Sequence, residues 1–195
     1  MKKIGILGGS FDPVHFGHLN LAVHMLEACG LDEVLFVPAS VSPFKENAPP
    51  KVSAEDRKEM LLLAIQPVKQ FRLLDWELQG KGPSFAIDTV RRLYSEAPAQ
   101  YHLLLGDDQL EGLPRWKESE ELIRLAPPLI GTRERAGLAK APVEFQEKLR
   151  KAQVKIPRFE ISSTEVRKRL SEKKFCGHLV PNAVLSYIEK KSLYQ

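Results

Sequence analysis

The sequence predicts a doubly wound α/β fold built on a parallel sheet. Two observations predict it: short, uniformly apolar runs alternate with segments of helical periodicity from one end of the chain to the other, and those runs read as strands buried on both faces rather than on one.

Taken in order, Lys3 to Leu7 is the first strand, and a loop of the sequence GGSFDPVHFGH (positions 8 to 18) follows it. A helix beginning near Gly17 carries Leu19, Ala22, Val23, Leu26 and Cys29 at helical spacing, and Gly30 sits where a carboxyl-terminal cap belongs. Glu33 to Val37 is the second strand, ended by Pro38. Pro38 to Val52 has no periodic pattern and is long for a connection, which favours a binding loop or lid. Ser53-Ala54-Glu55-Asp56 is a Ser-x-x-acid start to a helix through Ile65, and Phe71 to Leu74 is a third strand. Ser84 is expected to cap a helix carrying Ile87, Val90 and Tyr94. Tyr101 to Leu105 and Leu129 to Thr132 are strands, and a last strand is expected near Phe159. Ser162-Ser163-Thr164 then opens a helix, and Pro181 begins the terminal one.

In such sheets ligands gather beyond the carboxyl ends of the strands, where the strand order reverses. The loop after the first strand lies at that edge.

With 195 residues, 43% hydrophobic and 28% charged, the chain has the composition of one globular domain, expected over residues 1–195. Its amino-terminal apolar run is too short for a signal peptide, and no stretch is long enough to cross a bilayer, so a cytoplasmic protein without a membrane partner is expected. Cys29 and Cys176 are far apart and in no CxxC pair, which gives neither a disulfide framework nor a thiolate zinc site. Lys140 to Gln195 holds 13 Lys and Arg against 6 Asp and Glu, while the preceding residues hold 16 against 19. The basic end is either a solvated helix face or a surface for anions such as nucleic acid or a polyphosphate.

The first loop is neither a GxxxxGK[ST] nor a GxGxxG phosphate loop. His15, His18 and His24 could ligate a metal, but Gly17 beside His18 marks close backbone approach rather than a ligand scaffold. The preferred reading is a phosphate cradle: glycines admit the anion, the first turn of the helix aims N–H groups at it, and the imidazoles donate to its oxygens.

GGSFDPVHFGH and ISSTEVRKRL (Ile161 to Leu170) closely resemble the HxGH and ISSTxxR signatures of the nucleotidyltransferase superfamily, and specifically of bacterial nicotinate-nucleotide adenylyltransferases. The likeness covers nearly the whole chain. GPSFAIDTV (Gly82 to Val90) is similar to that family's GPSYTxDT segment, LLGDDQLEGLPRW (Leu104 to Trp116) to its GADxxxxLxxW segment, and LVPNAVLSYIEKKSLY (Leu179 to Tyr194) to its closing helix. The chain departs from the pattern at Ser42 to Lys45 (SPFK for PPHK), at Asp107 for Ala, at Phe85-Ala86 for Tyr-Thr, and at Arg133 to Gly137, which lack the Pro of RPG.

The resemblance implies a Rossmann-like nucleotidyltransferase fold and transfer of an adenylyl group from ATP to nicotinate mononucleotide, with Mg²⁺ accompanying ATP. It also implies that the helical part from about 162 to 195 completes the ATP site. By motif matching, Gly9, Ser10 and Phe11 belong to the ATP site, His15 and His18 contact the phosphates, and Lys45 bridges attacking and attacked phosphates. Ser162, Ser163 and Thr164 hold the β- and γ-phosphates with Arg167, and Gly106 and Asp108 lie near ribose. His15, His18, Lys45 and Arg167 are thus the expected catalytic groups. The acceptor falls to Ser84, Phe85, Ala86, Thr89, Trp116, Lys117 and Arg133, with Trp116 stacking on the pyridine, and nicotinate is preferred over nicotinamide. No residue is assigned as a metal ligand, and Asp12 has no assigned role beyond ordering Mg²⁺ or the loop.

Phosphopantetheine adenylyltransferase, nicotinamide-mononucleotide adenylyltransferase and the cytidylyltransferases are the nearest alternatives. Phosphopantetheine and cytidylyl transfer explain Trp116 and Asp88-Thr89 less well. An RNA-binding module, or a relative of class I aminoacyl-tRNA synthetases, lacks a KMSKS-like loop and an aromatic basic stripe here, so no nucleic-acid partner is expected. A homo-oligomer is compatible with the sequence.

Overall fold

The apolar runs that form the first two strands are buried along nearly their whole length. In the computed structural model Ile4 to Leu7 of β1 (Lys3–Gly9) and Val34 to Pro38 of β2 (Glu33–Pro38) are buried without a break, as a sheet covered on both faces requires. The structure describes residues 1–41, 49–80, 82–132, 146, 149–150, 152–157 and 159–195. Lys45 and Arg133, with the whole of the SPFK and RERAG segments, lie outside these.

The remaining strands are β3 (Phe71–Leu73), β4 (Gln100–Gly106), β5 (Leu129–Thr132) and β6 (Gln153–Lys155). The sheet order is β3-β2-β1-β4-β5-β6, and the β1–β4, β4–β5 and β5–β6 pairs are parallel. The order runs outward in both directions from β1 and β4, so the topological switch point falls between those two strands. The last strand is therefore not near Phe159, which is 39% exposed. Val154 sits in the ladder instead, and Pro157, with no N–H to give, ends it.

Helices described over their full length are α1 (Phe16–Ala28), α2 (Ala54–Ile65), α3 (Trp76–Gln79), α4 (Ala86–Glu96), α5 (Ser119–Leu125), α6 (Ser163–Ser171) and α7 (Asn182–Lys190), with 3₁₀ turns at Asp107–Gln109 and Leu113–Arg115. Ser53 caps α2 as the sequence predicts, its Oγ accepting from the Asp56 N–H at 3.0 Å. Gly30 ends α1 with φ of +59°, the left-handed conformation that suits glycine. Ser84 does not cap α4: the N-cap is Phe85, and Ser84 Oγ accepts from the Ser40 N–H at 3.0 Å.

By contacts the chain divides into two compact units. The first comprises Met1–Gly8, Leu21–Leu35 and Phe85–Arg158. Its core joins Ile4, Ile6, Met25, Leu104, Ile130 and Leu122. A Cβ on Gly131 would stand 2.6 Å from Leu21 and 2.7 Å from Ile156, so β5 needs glycine there for close packing. The second unit comprises Gly9–Asn20, Phe36–Ser84 and Phe159–Gln195. Phe11, Phe36 and Phe71 pack in a row through its core, Phe11 tilted against Phe36 with centroids 5.9 Å apart and Phe36 edge to face with Phe71 at 5.1 Å, and α2 packs on α7. Among the described residues no helix is long and apolar enough to cross a membrane.

Candidate active site

In the second unit the loop from Gly9 to His18 is held by its surroundings at nearly every step. Phe11 takes a left-handed backbone conformation (φ 47°), and its side chain is 1% exposed, edge-on to the His18 ring with centroids 4.9 Å apart. Phe11, buried, therefore forms the floor under His18. Gly9 admits that ring, since a Cβ there would come within 3.1 Å of it.

The two imidazoles stack, with centroids 3.7 Å apart and planes at 23°. The backbone N–H of His15 donates to Nδ1 of His18 at 3.3 Å, which makes Nδ1 the acceptor and assigns the His18 ring proton to Nε2. His15 is 5% exposed. Gly17 between them has a direct reason: a Cβ would lie 3.0 Å from His15 Cε1 and Nδ1. The spacing HxGH thus places two rings face to face at the start of a helix whose first-turn N–H groups carry partial positive charge.

The second signature comes to the same loop from far along the chain. Ser162 caps α6, its Oγ accepting from the Glu165 N–H at 3.2 Å. Ser163 Oγ donates to the Pro13 carbonyl at 2.9 Å, and Arg167 Nη1 donates to the Asp12 carbonyl at 2.6 Å. Arg167 Nη2 also donates to Thr164 Oγ1 at 3.2 Å. The starts of α1 and α6, the two imidazoles and the Arg167 guanidinium are therefore gathered around one loop, a donor-rich arrangement suited to phosphate. Ser162 and Thr164 are exposed.

Three residues hold this site: Asp12, for which the sequence offers only an ordering of Mg²⁺ or the loop, and Arg57 and Tyr194, for which it offers no role. Asp12 is 4% exposed; its Oδ1 accepts from Tyr194 OH at 2.8 Å and its Oδ2 from the Lys51 N–H at 2.8 Å. Arg57 is 2% exposed, and its guanidinium donates to the carbonyls of Ser10 (2.7 Å), Ala39 (2.7 Å) and Ser40 (3.2 Å). Burial pulls the Arg57 pKa down, opposed by the Asp12 carboxylate. Burial, and then Asp12, hold the Tyr194 phenol far above its ordinary range, so it stays a donor. The only sequence signal for Arg57 was a charge among the apolar positions of α2.

In the first unit, Phe85, Asp88 and Lys117 come together. Lys117 Nζ lies 3.0 Å from Asp88 Oδ2 and 4.7 Å above the Phe85 ring. Arg91 ties the segment after Trp116 to α4 by a forked pair with Glu118 (3.2 and 2.5 Å) and a bond to Glu121 (2.7 Å). Those two carboxylates raise the Arg91 pKa. Trp116 is half-buried, and its backbone N–H closes the 3₁₀ turn on the Leu113 carbonyl at 3.1 Å. It lines a groove of about 1240 Å³ with Pro114, Ile123, Pro127 and Leu129, while Phe85, Ala86, Thr89 and Lys117 do not line it. Thr89 lies on the buried face of α4, and Ala86 opens that helix. Gly106 ends β4, and Asp108 is exposed in the turn after it. Among the described residues no group of three or more His, Cys, Asp or Glu is arranged to hold a metal ion.

Comparison with known proteins gives these features a common setting. The cytidylyltransferase-like family model matches residues 6–169. A probable nicotinate-nucleotide adenylyltransferase of Bacillus cytotoxicus is 39% identical over the full length of both chains. One of Methylacidiphilum infernorum is 40% identical over 98% of this chain and 92% of its own. Among solved structures, the Plasmodium falciparum nicotinic acid mononucleotide adenylyltransferase complexed with NaAD covers 100% of this chain and 98% of its own, with a TM-score of 0.75 at 21% identity, which bears on the fold. The same enzyme complexed with APC gives a TM-score of 0.70 at 21% identity, with the same coverage. From the paired signatures, the sheet order and these full-length likenesses, the chain belongs to the nicotinate-nucleotide adenylyltransferase family of cytidylyltransferase-like nucleotidyltransferases.

Proposed function

We propose that the protein transfers the adenylyl group of ATP to nicotinate mononucleotide, forming nicotinate adenine dinucleotide and pyrophosphate in NAD biosynthesis. The observation that carries the reading is the union of the two signatures: Ser163 and Arg167 bond to the carbonyls of Pro13 and Asp12, in the loop that presents His15 and His18.

The chemistry needs little beyond such a cradle. A phosphate oxygen of the acceptor, already ionised near neutral pH, attacks the α-phosphorus of ATP in line. A P–O bond forms, the bond from the α-phosphorus to the oxygen bridging it to the β-phosphate breaks, and pyrophosphate leaves with that electron pair. No proton has to be removed from the nucleophile, so no general base is required. Catalysis reduces to positioning and to neutralising charge as it moves.

His18, with its proton on Nε2, donates to the α-phosphate, and His15 supports it and contacts the neighbouring phosphates. The N–H groups opening α6, the Ser162, Ser163 and Thr164 hydroxyls, and Arg167 take the β- and γ-phosphates. Gly9 and Ser10 offer backbone to the nucleotide, with Phe11 beneath, while Gly106 and Asp108 serve the ribose. Lys45 bridges attacking and attacked phosphates. Phe85, Ala86 and Lys117 offer backbone donors to the nicotinate carboxylate, with Ser84, Thr89, Trp116 and Arg133 completing the acceptor's surroundings. Mg²⁺ enters with ATP and offsets charge on the triphosphate. The residues are suited to the metal nucleotide complex rather than to a resident ion, because the cradle supplies donors. We further propose that the protein acts in the cytoplasm, without a nucleic-acid partner, alone or as a homo-oligomer.

Incubation with Mg²⁺-ATP and nicotinate mononucleotide tests the reading. Nicotinate adenine dinucleotide and pyrophosphate are expected in equal amounts. Release of ADP and phosphate instead, or no reaction, would overturn it.

A further inference from the structure

The carboxyl-terminal turn reaches the triphosphate cradle, and nothing in the chemistry above uses it. After α7 the chain turns sharply: the Ser192 N–H bonds to the Glu189 carbonyl at 3.1 Å and the Leu193 N–H to the Ile188 carbonyl at 3.0 Å. Ser192 and Tyr194 both take left-handed backbone conformations, with φ of 52° and 63°. Such conformations cost energy in residues other than glycine and persist where the surroundings over-determine them. Here the turn delivers the Tyr194 hydroxyl to Asp12 Oδ1 at 2.8 Å.

We infer that Tyr194 is a positioning residue for Arg167, acting through Asp12; the inference rests on the assignment of Arg167 to the ATP phosphates. A buried carboxylate must have its oxygens satisfied, and Asp12 divides its own between Tyr194 on one side and the Lys51 N–H on the other. That fixes the carboxylate plane. Arg167 Nη1 lies 3.7 Å from Oδ2 and donates to the carbonyl of the same residue at 2.6 Å. Asp12 therefore sets Arg167 with both backbone and side chain, and Thr164 fixes the other nitrogen. A guanidinium has five N–H donors, so anchoring it on protein still leaves capacity for phosphate oxygens, now in a set direction. Without the Tyr194 hydroxyl, Asp12 loses the donor on Oδ1 and is free to turn toward Arg57 or water. Arg167 then loses a fixed partner rather than its charge.

The test is Tyr194→Phe, which keeps the ring, with Asp12→Asn as a second variant that loses the charge and one of the two acceptor oxygens that Tyr194 and Lys51 share. Kinetics are measured well below the melting temperature of each variant. Either substitution is expected to raise the KM for ATP roughly five- to twentyfold while the KM for nicotinate mononucleotide stays within about twofold. A purely structural role would move both KM values together, and that result, or an unchanged ATP KM in both variants, would overturn the inference. Coupling to Arg167 is read from Arg167→Lys alone and combined with Tyr194→Phe. The second change is expected to add less than about twofold to the first. Fully multiplicative effects would mean that Tyr194 does not act through Arg167. If Arg167→Lys alone leaves the ATP KM unchanged, the phosphate assignment of Arg167 fails, and the inference with it.

Discussion

A Cβ on Gly17 would stand 3.0 Å from the ring of His15, so the glycine of the HxGH signature is what lets the two histidines stack. Gly17→Ala is expected to push His15 off His18 and to cut turnover about tenfold or more, at a stability cost of roughly 1–2 kcal/mol from overpacking. Steady-state kinetics beside thermal unfolding checks it. Wild-type turnover would show that the stacked pair is not needed.

His18→Ala is expected to lower turnover by on the order of a hundredfold while the protein stays folded, because a donor to the reacting phosphate is lost and not core packing. His18→Asn separates the two ring nitrogens. Its Oδ1 can accept from the His15 N–H as Nδ1 does, but no donor reaches where Nε2 stood, so it should be as inactive as the alanine variant. Circular dichroism and pyrophosphate release on the same preparations decide the matter.

Arg57 is the main brace between the loops that follow β1 and β2. Arg57→Met would leave the Ser10, Ala39 and Ser40 carbonyls without their shared donor, and the expected loss is about 3 kcal/mol, read from urea unfolding. A loss under about 1 kcal/mol would mean that water replaces the guanidinium at little cost.

The signatures were legible because each is a short run whose residue types the chemistry needs at fixed spacing: GGSFDPVHFGH, ISSTEVR and the DT pair could be read directly. The braces were not. Asp12, Arg57 and Tyr194 act through backbone carbonyls or partners up to 182 residues away, and sequence reports neither. Ser84 was misread for a related reason, since a serine before an apolar helix resembles a cap until Ser40 supplies its donor. The α3 and α5 helices, of 4 and 7 residues, are too short for periodicity to reveal. The edge strand β6, of 3 residues, offered too little alternation to locate, and Phe159 was the more conspicuous apolar residue.

Stability in acid should report on α2 and α7. Asp56 titrates below its ordinary value of 3.8, chiefly through the hydrogen bond from Ser53 and further through that from Tyr187. Burial and this contact in turn push the Tyr187 phenol up to about 12. A depressed folded-state value means that the unfolded chain binds more protons at low pH, so the Asp56 contribution is complete above the ordinary value and lost as pH falls through the lower one. Tyr187→Phe should therefore raise the midpoint of acid unfolding, with a change near neutral pH of about 1 kcal/mol. An unmoved acid midpoint would remove Asp56 from the account.

Arg91 makes the equivalent test in the first unit. Arg91→Ala frees the segment that follows Trp116 and should raise the KM for nicotinate mononucleotide several-fold with little effect on the KM for ATP. Equal effects on both would argue against an acceptor role for Trp116 and Lys117.

The most direct measurement is pyrophosphate release from Mg²⁺-ATP with nicotinate mononucleotide, nicotinamide mononucleotide and phosphopantetheine compared in parallel. The account predicts that nicotinate mononucleotide gives the highest kcat/KM by a wide margin. Equal or faster turnover of either other acceptor would contradict it.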